Sequence, residues 1–109
     1  MSFAEFLERH LVFAYGTLRS PAVRRQAMGR QGTGEDATAP GYAKGSAGDY
    51  PVLRREPGEK TPGQVVRVSD GELAKLDGWE KRYNRRRLRL KDGRRAWYYR
   101  YGGGRGDGS

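Results

Sequence analysis

The sequence predicts an α+β chain, a small, mostly antiparallel β-barrel flanked by helices. Three observations carry this expectation. Apolar or alternating runs of strand length recur at residues 11–15, 50–53, 64–68, 88–90 and 96–101. Two segments open with helix-start signals, Ser20-Pro21 and Ser69-Asp70-Gly71-Glu72. The 109 residues are enough for one hydrophobic core and too few for two. One domain over residues 1–101 is therefore expected, followed by a flexible Gly-rich tail over residues 102–109.

The elements follow in order. Residues 2–9 are predicted as a short leading helix, because Ser2 and Glu5 have the spacing of a capping box. Residues 11–15 are apolar at successive positions, the pattern of a strand buried on both faces. That run ends in Gly16-Thr17-Leu18-Arg19. Ser20-Pro21 then starts a helix through about Met28, closed by Gly29. Residues 31–48 are rich in Gly, Ala and Thr and carry little periodicity. One strand is expected near residues 39–44, with a turn at residues 45–48 before the short strand at 50–53. Two prolines make residues 54–62 read as a surface loop.

Residues 64–68 form a clear β run, and Ser69 to Glu72 then has the form of a capping box. At about 100° per residue, Leu73, Leu76 and Tyr83 share one arc, and Trp79 lies beside it. Glu80 falls between Leu73 and Leu76 on this projection, which puts an acid in the apolar stripe of the helix. Gly78 weakens the helix by up to about 1 kcal/mol relative to Ala and allows a bend there. Beyond Tyr83 the period becomes two. Leu88 and Leu90 alternate with basic residues, Asp92-Gly93 is a turn pair, and residues 96–101 return as an aromatic strand.

Glu80 has two readings from the helix alone. A desolvated carboxylate has its pKa raised toward neutrality, where one group can both take and return a proton. Alternatively, Glu80 sits at the boundary with its tip in water or paired to an arginine. The rest of the composition narrows the chemistry. No cysteine is present, which excludes thiolate nucleophiles, disulfides and cysteine metal sites. His10 is the single histidine and cannot make a multi-histidine metal site. There is no G-x-S-x-G elbow, Walker A loop or G-x-G-x-x-G fingerprint. An enzyme built from this chain would work by one general acid/base, and neither metal nor cofactor is expected. With 22 basic against 13 acidic residues the formal charge is +9, either a solvated basic shell or a footprint for an anionic partner. No apolar run is long enough to span a bilayer, so a soluble, cytoplasmic protein is expected.

The motifs now combine. Val12-Phe13-Ala14-Tyr15-Gly16-Thr17-Leu18-Arg19 resembles the opening strand and Y-G-T-L loop of the gamma-glutamylcyclotransferase-like family, which includes the gamma-glutamylamine cyclotransferases. Gly48-Asp49-Tyr50-Pro51 resembles its G-x-Y-P element, and Gly63-Gln64-Val65 the strand ahead of its helix. Leu76-Asp77-Gly78-Trp79-Glu80, followed by Tyr83 and Arg85, is similar to its L-D-x-aromatic-E-x-x-Y-x-R signature, and Ala96-Trp97-Tyr98-Tyr99 to its terminal strand. These matches occur in family order over roughly residues 12–101. Lys81 stands where many members have glycine.

The resemblance implies a small β-barrel with a cavity between the loop and the helix glutamate. It carries loop roles to Tyr15, Gly16, Thr17 and Leu18, and the acid/base role to Glu80. It implies that a gamma-glutamyl substrate cyclises to 5-oxoproline and releases its amine. Arg19 is expected to add charge for a substrate carboxylate or oxyanion. Tyr50 and Tyr99 are expected either as cavity phenols or as tyrosines that satisfy their hydroxyls within the core. The expected partner is a small gamma-glutamyl amine or amide, with the chain a monomer or homodimer. The competing class is a non-catalytic module of the same fold. It would either bind RNA through Trp97, Tyr98, Tyr99 and Tyr101 beside Arg85, Arg86 and Arg87, or sense a metabolite.

Overall fold

β1 (His10–Ala14) is central because Val12, Phe13 and Ala14 are all buried, leaving neither face for water. The computed structural model describes residues 9–102. The expectations for residues 2–8 and 103–109 lie outside that range. After β1 come a 3₁₀ turn (Thr17–Arg19), α1 (Pro21–Met28), β2 (Gly34–Ala47), β3 (Tyr50–Val68), α2 (Asp70–Trp79), β4 (Tyr83–Arg89) and β5 (Arg95–Tyr101). The strands form one sheet in the order β2-β3-β1-β5-β4. β1 runs antiparallel to β3, with Val12 opposite Val66, and parallel to β5, where Val12 faces Trp97.

Strand alternation splits the core in two. Val12, Ala14, Val66, Val68 and Tyr99 face the helices and pack on Ala27, Met28, Leu73 and Leu76. Phe13, Val65, Ala96 and Tyr98 face the other way and pack with Ala39, Leu53, Leu88 and Leu90. The second cluster needs no helix, because the sheet curls over it. Lys91 N donates to Thr38 O at 2.9 Å, which brings the end of β4 toward β2. The two strands share no ladder, so the expected barrel is an open, curled five-stranded sheet.

The capped helices form where the sequence places them. Ser20 Oγ accepts from Val23 N at the start of α1, and Gly29 closes it in the left-handed conformation at φ 84°. Ser69 and Glu72 complete their capping box, with Glu72 N donating to Ser69 Oγ at 3.1 Å and Ser69 N to Glu72 Oε1 at 2.9 Å. The far end of α2 differs from expectation. It stops at Trp79, and Glu80 is its C-cap at φ −92° and ψ 60°. Tyr83 N then donates to Glu80 O, and Tyr83 pairs with Tyr101 as the first residue of β4. Pairing with β5 overrides the helical period that Tyr83 shares with Leu73 and Leu76.

Residues 31–62 depart furthest from the sequence reading. β2 spans fourteen residues instead of about six, and its turn is the Gly48-Asp49 pair, with Gly48 at φ 61°. Residues 54–62 are strand, not loop. Pro40 pairs with Lys60 but Tyr42 pairs with Arg55, so residues 56–59 stand opposite Gly41 alone. Pro57 falls in that bulge, where it costs no ladder hydrogen bond.

β3 crosses β1 closely at Gly63. A Cβ there would lie 2.5 Å from Ala14 O and 2.8 Å from Phe13 Cζ. Gly63→Ala is expected to destabilise the fold by about 1–3 kcal/mol through this backbone clash. Denaturant unfolding measures it, and an unchanged midpoint would contradict the packing described. Among the described residues, no helix is long and apolar enough to cross a membrane.

Candidate active site

The site begins where β1 gives way to a turn. Arg19 N and Ser20 N donate to Gly16 O and Thr17 O at 3.1 and 2.9 Å, closing one 3₁₀ turn. The amides of Thr17 and Leu18, as the first donors of that turn, find no acceptor within it. Leu18 anchors the turn by inserting into the helix-side core. Gly16 is needed for close approach, since a Cβ there would lie 2.9 Å from Pro51 Cγ.

Arg24 fastens this loop from below, a role the sequence reading missed. It is 3% exposed, and its guanidinium donates to Leu18 O at 2.9 Å, Arg19 O at 3.0 Å and Gln31 O at 2.6 Å. Burial lowers its pKa. One available signal was its spacing to Ala27 and Met28, which puts a cation on the buried face of α1.

Glu80 faces the loop from the end of α2 across a cavity of about 460 Å³. Tyr15, Gly16, Thr17 and Leu18 line one side, and Glu80 and Tyr83 another. Tyr50, Pro51 and Tyr99 also contribute, so seven of the eight residues singled out from sequence meet here. Arg19 does not. Its Nε turns back to Gly16 O at 3.3 Å, and the side chain lines a separate depression with Asp36 and Gln64.

Among the described residues no side chain hydrogen-bonds or ion-pairs with the Glu80 carboxylate, so the boundary reading with an arginine partner does not hold. Half-buried and unpaired, its carboxyl is pushed up to about 7 by desolvation. The surrounding phenols are otherwise engaged. Tyr15 OH donates to Tyr99 O, Tyr99 OH to Asp77 Oδ1 at 2.8 Å, and Tyr83 OH to Pro51 O at 2.8 Å. Burial pushes all three hydroxyls up, Tyr83 to about 12, and the Glu80 charge adds to each. They therefore shape and dry the cavity as neutral rings. Tyr50 is 37% exposed at the rim, stacked on Tyr101 with Arg82 over its ring. Asp77 also forms an ion pair with Arg85, Oδ1 to Nε at 3.2 Å, tying α2 to β4. Tyr83 was the lining residue most within reach of the sequence, since it stands in the helix signature.

The family described as gamma-glutamyl cyclotransferase, AIG2-like, matches residues 12–108. The chain belongs to that family. Among solved structures, it is similar to two Arabidopsis thaliana proteins determined in solution. One is 25% identical with a TM-score of 0.76, over 86% of this chain and 69% of that one. The other is 27% identical with a TM-score of 0.73, over 84% of this chain and 61% of that one. A structure named gamma-glutamyl cyclotransferase is 15% identical with a TM-score of 0.67, over 84% of this chain and 66% of that one, a likeness of fold. Among curated proteins none matches the chain. This AIG2-like chain spans about two thirds of the length of these solved structures.

Proposed function

We propose that this AIG2-like chain is a gamma-glutamylcyclotransferase-type enzyme that releases 5-oxoproline and an amine from a small gamma-glutamyl amine or amide. The observation that supports this best is the unpaired, half-buried Glu80 opposite the Y-G-T-L turn in one cavity. A carboxyl held near neutrality is suited to relay protons. Glu80 takes a proton from the substrate α-nitrogen, which attacks the gamma-carbonyl. The bond from that carbonyl to the departing nitrogen breaks as Glu80 returns the proton to it. From an α-ammonium to the lactam N–H two protons leave the α-nitrogen, and two arrive on the departing nitrogen as it becomes an ammonium, so Glu80 relays twice and the reaction takes up or releases no net proton.

The attack is intramolecular, so the protein need supply no nucleophile. Holding the substrate folded provides the proximity. The amides of Thr17 and Leu18 are the donors best placed to steady the oxyanion or the substrate carboxylate. A panel of gamma-glutamyl amides assayed for 5-oxoproline tests the reading. Turnover of any member supports it, ligand binding without product would instead identify a sensor, and neither binding nor turnover would overturn it.

The acid also has a pH signature. The ordinary carboxyl value is 4.5 and that of Glu80 in the fold is about 7, so between them the folded chain keeps a proton that the unfolded chain has lost. The stability contributed by this group is full below about 4.5 and lost as pH rises through about 7. The denaturation midpoint of the wild type is expected to fall across that window relative to Glu80→Gln, whose amide does not titrate. The activity runs oppositely: kcat/KM is expected to rise with pH through an apparent value near 7, as Glu80 becomes the base.

A further inference from the structure

Four arginines border the seam where the curled sheet fails to close. Arg87 and Arg89 of β4, Arg95 of β5 and Arg55 of β3 line one open depression of about 420 Å³, together with Pro40, Gly41 and Tyr42 of β2. The depression shares no residue with the cavity of Glu80. No carboxylate lines it, and among the described residues none of the four arginines is in an ion pair. Of the acids near it, Asp92 of the β4–β5 turn is engaged by Arg94 at 2.8 Å, and Glu56 and Glu59 stand in the bulge opposite Gly41 without lining the depression.

This arrangement works against the fold unless something neutralises it. Arg89 and Arg95 are direct cross-strand partners, and like charges placed opposite one another destabilise a sheet. Edge protection accounts for basic residues along β4. It does not account for Arg95, which sits on an interior strand, or for Arg55, which reaches the same depression from β3. Two of the four guanidiniums are already held by neighbours at the border of the depression: Arg89 Nη1 donates to Gly93 O at 3.3 Å, and the guanidinium of Arg87 lies 4.2 Å from the Trp97 ring centroid, with Arg85 over the same ring at 4.3 Å. With both cations stacked on it, Trp97 is not a free platform for a nucleobase.

We propose that this seam is a binding site for an oligophosphate, a small anion bearing two or more adjacent phosphoryl groups. Guanidinium forks match phosphate oxygens bidentately, and four arginines around one depression suit clustered charge better than phosphodiesters spaced along a strand. Two sources share this chemistry, a free polyphosphate and a nucleoside polyphosphate whose base would lie against Tyr42.

Calorimetric titration with inorganic tripolyphosphate, ATP and single-stranded RNA, at about 0.15 M ionic strength, tests the proposal. Tripolyphosphate and ATP are expected to bind, and Arg89→Gln with Arg95→Gln to weaken both at least tenfold. A control pair of equal charge change on exposed positions elsewhere, Arg25→Gln with Arg67→Gln, is expected to change affinity less than threefold. Equal affinities for the two ligands identify the free polyphosphate as the source, and tighter ATP binding identifies the nucleotide. Absence of binding, or equal loss in both variant pairs, overturns the site in favour of general electrostatics. Binding of RNA more tightly than either small ligand, lost in the seam pair, overturns it in favour of a nucleic-acid surface.

Discussion

Glu80→Gln is expected to lower kcat on any accepted gamma-glutamyl substrate by about 10²- to 10⁴-fold, the usual worth of a positioned general acid/base. KM should change little, because the amide keeps the shape of the cavity wall. The fold should persist. The bonds that place residue 80, from its N–H to Leu76 O and from Tyr83 N–H to its carbonyl, belong to the backbone and survive the change. At pH 8 the variant should be more resistant to denaturation than the wild type, since it no longer carries a desolvated charge. 5-Oxoproline release and unfolding curves on the same preparation measure both effects. Unchanged turnover would remove Glu80 from the mechanism, whereas lost turnover with unchanged pH dependence of stability would contradict its burial.

Arg24→Met is expected to produce the second large effect, at a distance from the reacting atoms. The methionine keeps the apolar stem but releases three carbonyls, one of them the buried Leu18 O. Hydrogen bonds from a charged donor are worth about 1.5–3 kcal/mol each, so a loss of about 3 kcal/mol in all is a modest expectation. For a domain of this size that lowers the thermal midpoint by more than about 10 °C. Because Leu18 and Arg19 are the residues released, the turn beside the cavity loosens, and KM should rise in the surviving folded fraction. Arg24→Lys should rescue only part of this, since an ammonium cannot span three carbonyls as the planar fork does. A variant as stable as the wild type would mean that the guanidinium does not fasten the loop.

The sequence was legible where local chemistry decides the structure. Ser20, Pro21 and Gly29 bounded α1 correctly, and Ser69 with Glu72 fixed the start of α2, because caps act within a single turn. The Asp92-Gly93 turn and the strand after it were legible for the same reason. What was hidden depends on partners far along the chain. Residues 34–47 and 54–62 have weak propensity and become strand by pairing with each other around a bulge. Tyr83 fits the helical arc of Leu73 and Leu76, yet its cross-strand partner Tyr101 draws it into β4. Glu80 was thus picked out for its mismatch with the apolar pattern, although it caps the helix and does not lie within it. The cavity residues were gathered by short motifs. Arg19, by contrast, follows the turn of its own backbone away from them, which no spacing rule announces.

The cavity walls come from four stretches distant in sequence: residues 13–18, 49–51 and 79–83, with Tyr99. No fragment of the chain can assemble this chamber, so a molecule that fits it acts as a clasp on the entire domain. Such a ligand adds about 2.7 kcal/mol of resistance to unfolding at a hundred times its dissociation constant. Screening by melting-temperature shift can therefore find a ligand of this cavity without any prior guess at its identity.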